Sequence, residues 1–170
     1  MRFLLALVLA AALTGCGFHL RGAGSGNLPY RTMYIELPET ADVNIWLQRY
    51  IRASGSTRIV DDAESAEAIF QQLADGHQKS ILSVNTSGRV REYRLQLNYS
   101  FRIVNRQGKV LVPPNEINLT RDITYDDSNV LAKNLEENLL WRDMTNDLVN
   151  QIMRRLSIVK PKHPDREEDE

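Results

Sequence analysis

The sequence predicts an α+β fold in which one sheet carries two helices on its apolar face and leaves its other face polar. Three patterns carry that expectation. Tyr93, Leu95, Leu97, Tyr99, Phe101 and Ile103 alternate with Arg94, Gln96, Asn98, Ser100 and Arg102, the period-two signature of a half-buried strand. Two other stretches, one beginning near Asp42 and one near Ser128, repeat apolar residues at helical spacing. A strand-like run precedes the first of them, and a strand–helix–strand order makes a right-handed crossover the default.

The chain opens on Arg2 and an unbroken apolar run from Phe3 to Leu13. A helix that spans a bilayer takes roughly 20 apolar residues, so this run is too short. A basic start, a short apolar middle and small residues before a cut mark a secretory signal peptide. Leu13-Thr14-Gly15-Cys16 resembles the bacterial lipobox, which implies that residues 1–15 are removed and that Cys16 takes a diacylglycerol and a third acyl chain. Each buried methylene contributes about 0.8 kcal/mol, and two or more chains anchor stably. The other reading is an ordinary secretory signal that leaves the chain's one cysteine unpaired at the cut. Gly17, where an acidic residue is absent, favours outer-membrane sorting by analogy with enteric bacteria.

Residues 16–30 read as a lipidated tether, rich in glycine (Gly17, Gly22, Gly24, Gly26), with Phe18 and Leu20 able to dock on the body. Thr32 to Leu37 is the first strand, stopped by Pro38. Asp42 is placed to cap a helix whose stripe is Val43, Trp46, Leu47, Tyr50 and Ile51. Ser54-Gly55 ends it. Thr57 to Val60 and the acidic Asp61-Asp62-Ala63-Glu64 stretch carry weaker signals. Glu67 to Val84 reads as strand with an interruption near Asp75-Gly76, and Asn85-Thr86-Ser87-Gly88 as a turn.

After the alternating strand, Asn105-Arg106-Gln107-Gly108 turns the chain again. Lys109 to Val112 starts a returning strand, which Pro113-Pro114 must break by a bulge or an edge position. Pairing resumes through Ile117, Leu119 and Ile123 to Tyr125. Asp126-Asp127-Ser128 caps a last helix over about 128–157. Its stripe of Leu131, Leu135, Leu139, Leu140, Met144, Leu148, Ile152 and Leu156 is expected in the core. A helix of that length extends about 45 Å, and a strand from Arg89 to Val104 about 50 Å, which makes a long thin slab. Residues 159–170 read as a disordered acidic tail, whose last six hold five carboxylates.

A net charge of −1 implies neither nucleic acid nor a generally acidic partner. Catalytic machinery does not assemble. His19, His77 and His163 are scattered, and no nucleophile elbow, phosphate-binding loop or metal-ligand spacing is present. Asp61-Asp62 and Asp126-Asp127 read as turn and cap residues. The more informative set is basic. Arg89, Arg91, Arg94 and Arg102 stand around the hairpin and the polar face, with Glu92 placed to neutralise part of the group. Such a cluster either holds phosphates through paired donors or is a solvated face with ordinary ion pairs.

Cys16 followed by Gly17-Phe18-His19-Leu20-Arg21 resembles the start of the mature LptE lipopolysaccharide-assembly lipoproteins, whose hallmark is Cys-Gly-aromatic-His-Leu-Arg. The resemblance continues through the first strand and helix, the Gly88 turn with Glu92-Tyr93, and Leu131-Ala132-Lys133, over nearly all of residues 16–158. It implies a four-stranded, mostly antiparallel sheet with two helices on one face, formed by residues 31–158. It also implies residence in the outer membrane of a Gram-negative bacterium as the 1:1 plug of the LptD barrel. Lipopolysaccharide would then be bound by basic residues near the hairpin and at the start of the last helix, with no cofactor, metal or catalytic residue. Lys133 matches the second position. The family's hairpin position falls near Thr86 here, so Arg89 or Arg91 takes its part. A free periplasmic-facing carrier or scaffold lipoprotein is the alternative, and a hydrolase would require a deep pocket with two polar side chains of shifted pKa.

Overall fold

The computed structural model describes residues 27–158; the signal peptide, Cys16, most of the tether and the acidic tail lie outside the described residues. The elements are β1 (Thr32–Glu36), α1 (Asp42–Ser54), β2 (Arg58–Ile59), β3 (Ala68–Val84), β4 (Val90–Val104), β5 (Val110–Thr124), a 3-10 turn (Asp127–Asn129) and α2 (Val130–Ile158). They form one sheet in the order β2-β1-β3-β4-β5. β1 runs parallel to both β2 and β3, whereas β3, β4 and β5 are antiparallel. The sheet is therefore mixed and five-stranded, not four-stranded. The added strand, β2, pairs only Arg58 with Thr32 and Ile59 with Met33. Two residues are too few to display an alternation.

Local chemistry explains most boundaries. Asp42 does not cap α1. Ala41 stands at the cap without a side-chain bond, and Asp42 is the first helical residue, where its carboxylate faces the positive end of the helix dipole. Buried Asn44 ties the helix to the end of β1, donating to the carbonyls of Leu37 and Pro38 at 3.1 and 3.0 Å. The two hairpin turns are built alike. Asn85 Oδ1 accepts the N–H groups of Ser87 and Arg89, and Asn105 Oδ1 accepts those of Gln107 and Lys109. Gly88 and Gly108 supply the left-handed residue, at φ 79° and 78°.

The strands correct one expectation and fulfil another. β3 runs unbroken through Asp75 and Gly76, which pair with Tyr99 and Asn98. Its irregularities fall instead between Gln72 and Ala74 and between Ile81 and Val84. On β5, Asn115 pairs with Phe101 and Val112 with Ile103. Pro113 and Pro114 therefore share a bulge opposite Arg102, on an edge strand, where the missing donors cost no ladder bond.

The core lies on one face of the sheet. Met33, Phe70, Leu95, Leu97, Phe101, Ile103 and Ile117 meet Leu47 and Ile51 of α1 and Met144, Leu148, Ile152 and Leu156 of α2. Phe70 stacks on Phe101 at 5.2 Å between ring centres. On the opposite face Ala66, Ile69 and Val104 form a small buried apolar cluster, with Tyr34, Val60 and Ala63 packed against it.

The leucine stripe of α2 is not all core, as its spacing predicted. From Met144 onward it is buried, but Leu131, Leu135 and Leu139 are 75%, 59% and 56% exposed. The cause is geometric. In the first half of α2 the sheet-facing row is Lys133, Glu137 and Trp141, which reach Thr124, Lys79 and His77. The three leucines are offset from that row by two residues, about 200° around the helix, so they point away from the sheet. α1 is only 13 residues long; its Tyr50 hydroxyl meets Asn146 Oδ1 at 2.8 Å, in the second half of α2.

Asp126 caps the last helical segment. Its carboxylate accepts the Ser128 N–H at 2.9 Å and the Ser128 hydroxyl at 2.7 Å. The Ser128 backbone bond, its hydroxyl and then the Lys133 charge hold the carboxyl below the usual aspartate range.

Two outcomes follow from the buried and exposed halves of α2 and from its cap. Leu148→Ala is expected to cost about 3 kcal/mol and Leu135→Ala less than about 0.5 kcal/mol, read from urea unfolding. A carboxyl lowered on folding stabilises fully above its unfolded pKa, about 3.9, and that stability is lost as pH falls through the lower folded value. Asp126→Asn should therefore flatten the decline of the urea midpoint below about pH 4 relative to the parent protein.

Candidate functional site

Three segments converge at the β3–β4 hairpin end of the sheet. Thr124, at the end of β5, pairs with Glu92 of β4, and the Tyr125 N–H donates to the Arg91 carbonyl at 2.7 Å. The Asp126 cap then turns the chain into α2. The structure thereby brings Arg89, at the end of the turn, Arg91, second in β4, and Lys133, fourth in α2, to one end of the molecule.

Two surface hollows meet there. One, of about 370 Å³, is lined by Ser83, Val84, Arg91, Glu92, Thr124 and Tyr125. The other, of about 430 Å³, is lined by Asn85, Arg89, Val90, Arg91, Tyr125 and the Asp126–Ser128 cap. Arg91 and Tyr125 belong to both. Lys133 reaches the wall of the first: its Nζ lies 3.2 Å from Thr124 Oγ1 and 2.8 Å from Glu136 Oε2.

The electrostatics sort the basic residues. Among the described residues no carboxylate forms an ion pair with Arg89 or Arg91, whereas Lys133 is paired with Glu136. Glu92 does not neutralise the arginines as its position predicted. It accepts the Ser83 hydroxyl at 2.6 Å instead. Arg94 and Arg102 stand apart, on the polar face. Arg94 grips Asp122 through two bonds of 2.8 and 3.0 Å, and Arg102 donates to Gln71 at 2.8 Å. Asp126 and Asp127 line the second hollow, so its charge is mixed. The end of the sheet offers guanidinium and ammonium donors to an anionic group, with acceptors beside them for hydroxyls.

Sequence reasoning missed the contacts that hold the first half of α2 on the sheet. Lys79 pairs with Glu137 and lies 4.3 Å from the Tyr93 ring centre. His77 stacks on Trp141 at 4.9 Å and approaches Asp75 at 3.1 Å. Lys79 and His77 sit in an all-polar stretch with no hydrophobic alternation, so nothing in the sequence assigned them to a face. Among the described residues no group of three His, Cys, Asp or Glu side chains could hold a metal ion. Cys16, His19 and His163 lie outside the described residues.

The remaining polar face is ordered in cross-strand rows. Ser80, Arg94 and Asp122 form one, Gln78, Gln96 and Thr120 the next, then Gly76, Asn98 and Asn118, and last Ala74, Ser100 and Glu116. No apolar side chain enters these four rows apart from the methyl group of Ala74.

Comparison with known proteins accords with this architecture. A family model described as "LptE: Lipopolysaccharide-assembly" matches residues 30–156. The chain is 27% identical to the LPS-assembly lipoprotein LptE of Pectobacterium atrosepticum over 164 residues, covering 91% of this chain and 84% of that one. It superposes on the solution structure of lipoprotein B from Nitrosomonas europaea with a TM-score of 0.69 and 39% identity, over 83% of this chain and 90% of that one. A minor lipoprotein of Acinetobacter baumannii matches with a TM-score of 0.64 and 29% identity, over 76% and 92%. With the family pattern spanning the body from β1 through α2, the chain belongs to the LptE family of lipopolysaccharide-assembly proteins.

Proposed function

We propose that the mature chain is a Gram-negative outer-membrane lipoprotein, acylated at Cys16, that sits 1:1 as a plug in the LptD barrel. There it aids barrel assembly and binds lipopolysaccharide on its way to the cell surface. The observation that carries this reading is the one-sided sheet. Its long strands extend about 50 Å against a hydrocarbon core of about 30 Å, and they present a polar face throughout their middle rows. A face of that kind suits a water-filled barrel lumen and does not suit lipid. No described helix is long and apolar enough to cross a membrane; in this reading the acyl chains on Cys16 make the attachment. Relatives named as lipoproteins support the same anchor.

Lys133, Arg89 and Arg91 are the residues proposed to hold the lipid's phosphates. Hydrogen bonds to charged groups contribute about 1.5–3 kcal/mol each, so two or three would hold a phosphate while leaving it exchangeable.

Purification of the full chain through a C-terminal tag, in mild detergent, is expected to recover a barrel protein in equal amount. A lone monomer would favour the carrier reading. Lys133→Asp combined with Arg91→Asp should weaken lipopolysaccharide binding by more than tenfold while the barrel complex persists, as measured on the co-purified pair.

A further inference from the structure

The polar face carries a hollow that the reading above leaves unused. It lies where small residues interrupt the rows. Gly76 and Ala74 of β3 stand beside Asn98 and Ser100 of β4, which stand beside Asn118 and Glu116 of β5. The hollow, of about 270 Å³, is lined by Ala74, Asn98, Ser100, Glu116 and Asn118, with Tyr99 beneath. Gly76 is not required there by the backbone, because its φ lies outside the left-handed range. A Cβ at that position would meet Asn98 O at 3.7 Å and Asn98 Cβ at 3.9 Å, ordinary contacts. A side chain at Gly76 would thus stand against Asn98, at the rim of the hollow.

The groups around it define what it accepts. Two carboxamides supply four N–H donors and two carbonyl acceptors, Ser100 a hydroxyl and Glu116 a carboxylate. Among the described residues these four side chains make no hydrogen bond to another group; only the Glu116 backbone carbonyl is engaged, by Arg155. Arg94 with Asp122, two rows away, and Arg102 with Gln71 are paired by contrast, whereas the intervening row of Gln78, Gln96 and Thr120 is as open as this one. The single charge is negative, which repels a phosphate, and no aliphatic chain lines the hollow to receive an acyl group. Groups that both donate and accept without charge, namely vicinal sugar hydroxyls, satisfy this set. Asn98 is seven residues along β4 from Arg91, about 24 Å, and on the face of the sheet opposite α2 and Lys133, so a lipid held by its phosphates at the hairpin end must pass its glycan around the end of the sheet to reach it.

We infer that the Asn98–Ser100–Asn118 hollow is a subsite for neutral sugars of the lipopolysaccharide oligosaccharide. The inference rests on the proposal that lipopolysaccharide is the ligand.

The test is a residue-resolved NMR titration of the full mature chain in detergent, with a lipid-free, dephosphorylated core oligosaccharide of heptose and hexose as the probe. Side-chain amide signals of Asn98 and Asn118 are expected to shift saturably, with a dissociation constant on the order of millimolar. Gly76→Thr, which sets a branched side chain against Asn98 at the rim of the hollow, should weaken that binding at least tenfold, as should Asn98→Ala with Asn118→Ala, a pair of exposed substitutions that leaves the core untouched. Unmoved amide signals, or equal shifts in Gly76→Thr, would overturn the inference. So would loss of the barrel partner from Gly76→Thr with oligosaccharide binding retained, because the hollow would then be a protein contact. Lipid A titrated into the same sample separates the two levels. Lipid A binding without oligosaccharide binding sinks the subsite alone, whereas binding of neither sinks the lipopolysaccharide reading together with the subsite.

Discussion

The two-residue alternation of β4 is the constraint on which the rest of the molecule depends. The five core-facing positions of that alternation, Leu95, Leu97, Tyr99, Phe101 and Ile103, are all at or near zero exposure, and both of its neighbours are paired along nearly their whole length. A slip of one residue would turn every one of these side chains to water and bring Arg94, Gln96, Asn98, Ser100 and Arg102 into the core. Register is therefore fixed by burial, and the turns only have to be compatible with it. The same alternation that builds the core leaves the opposite face polar by necessity, because each apolar side chain is separated from the next by a hydrophilic one.

That division also decides which parts are firmly held. α1 and the second half of α2 cover the core where β1, β3, β4 and β5 lie side by side. Past Gln71, β1 has ended, and the sheet narrows to three strands under the first half of α2. There the helix is attached through the Lys79–Glu137 ion pair, the His77 ring stacked on Trp141 and Lys133 bonded to Thr124, all in partly or fully exposed contacts. Exposed ion pairs contribute about 0–1 kcal/mol each, far less than the buried leucines further along. The segment that carries Lys133 belongs to the less stable end of the molecule, where local opening costs least. Its three outward leucines add no cohesion to this chain.

Much of this was legible in the sequence, and the misses share a cause. The β4 alternation, the two Asn-x-x-Gly turns and the Pro113-Pro114 bulge were readable because each is a local pattern with a local physical reason. β2 was not, since two residues hold no period. The continuity of β3 was obscured because Asp75 and Gly76 are poor strand formers, kept extended by Tyr99 and Asn98 across the ladder rather than by their own preference. Leu131, Leu135 and Leu139 have core-like spacing among themselves, but the row that meets the sheet is Lys133, Glu137 and Trp141, whose partners Thr124, Lys79 and His77 only the fold reveals. Lys133 was identified from the family pattern, while its neighbours Thr124 and Glu136 are visible only in three dimensions.

Those neighbours bear on how the hairpin end would meet an anion. Lys133 begins with its charge committed to Glu136, a partner half exposed to water. A phosphate arriving there must displace or share that carboxylate, so part of the attraction is offset by the ion pair it breaks. Arg91 carries no such commitment among the described residues. It lies between two hollows, and its planar fork can engage two oxygens at once. The backbone of Arg91 is also fixed, because its carbonyl accepts the Tyr125 N–H that joins β4 to the chain entering α2. Arg91 therefore supplies the oriented, unpaid donor of the site. Lys133 supplies a second charge whose strength depends on how readily Glu136 gives way.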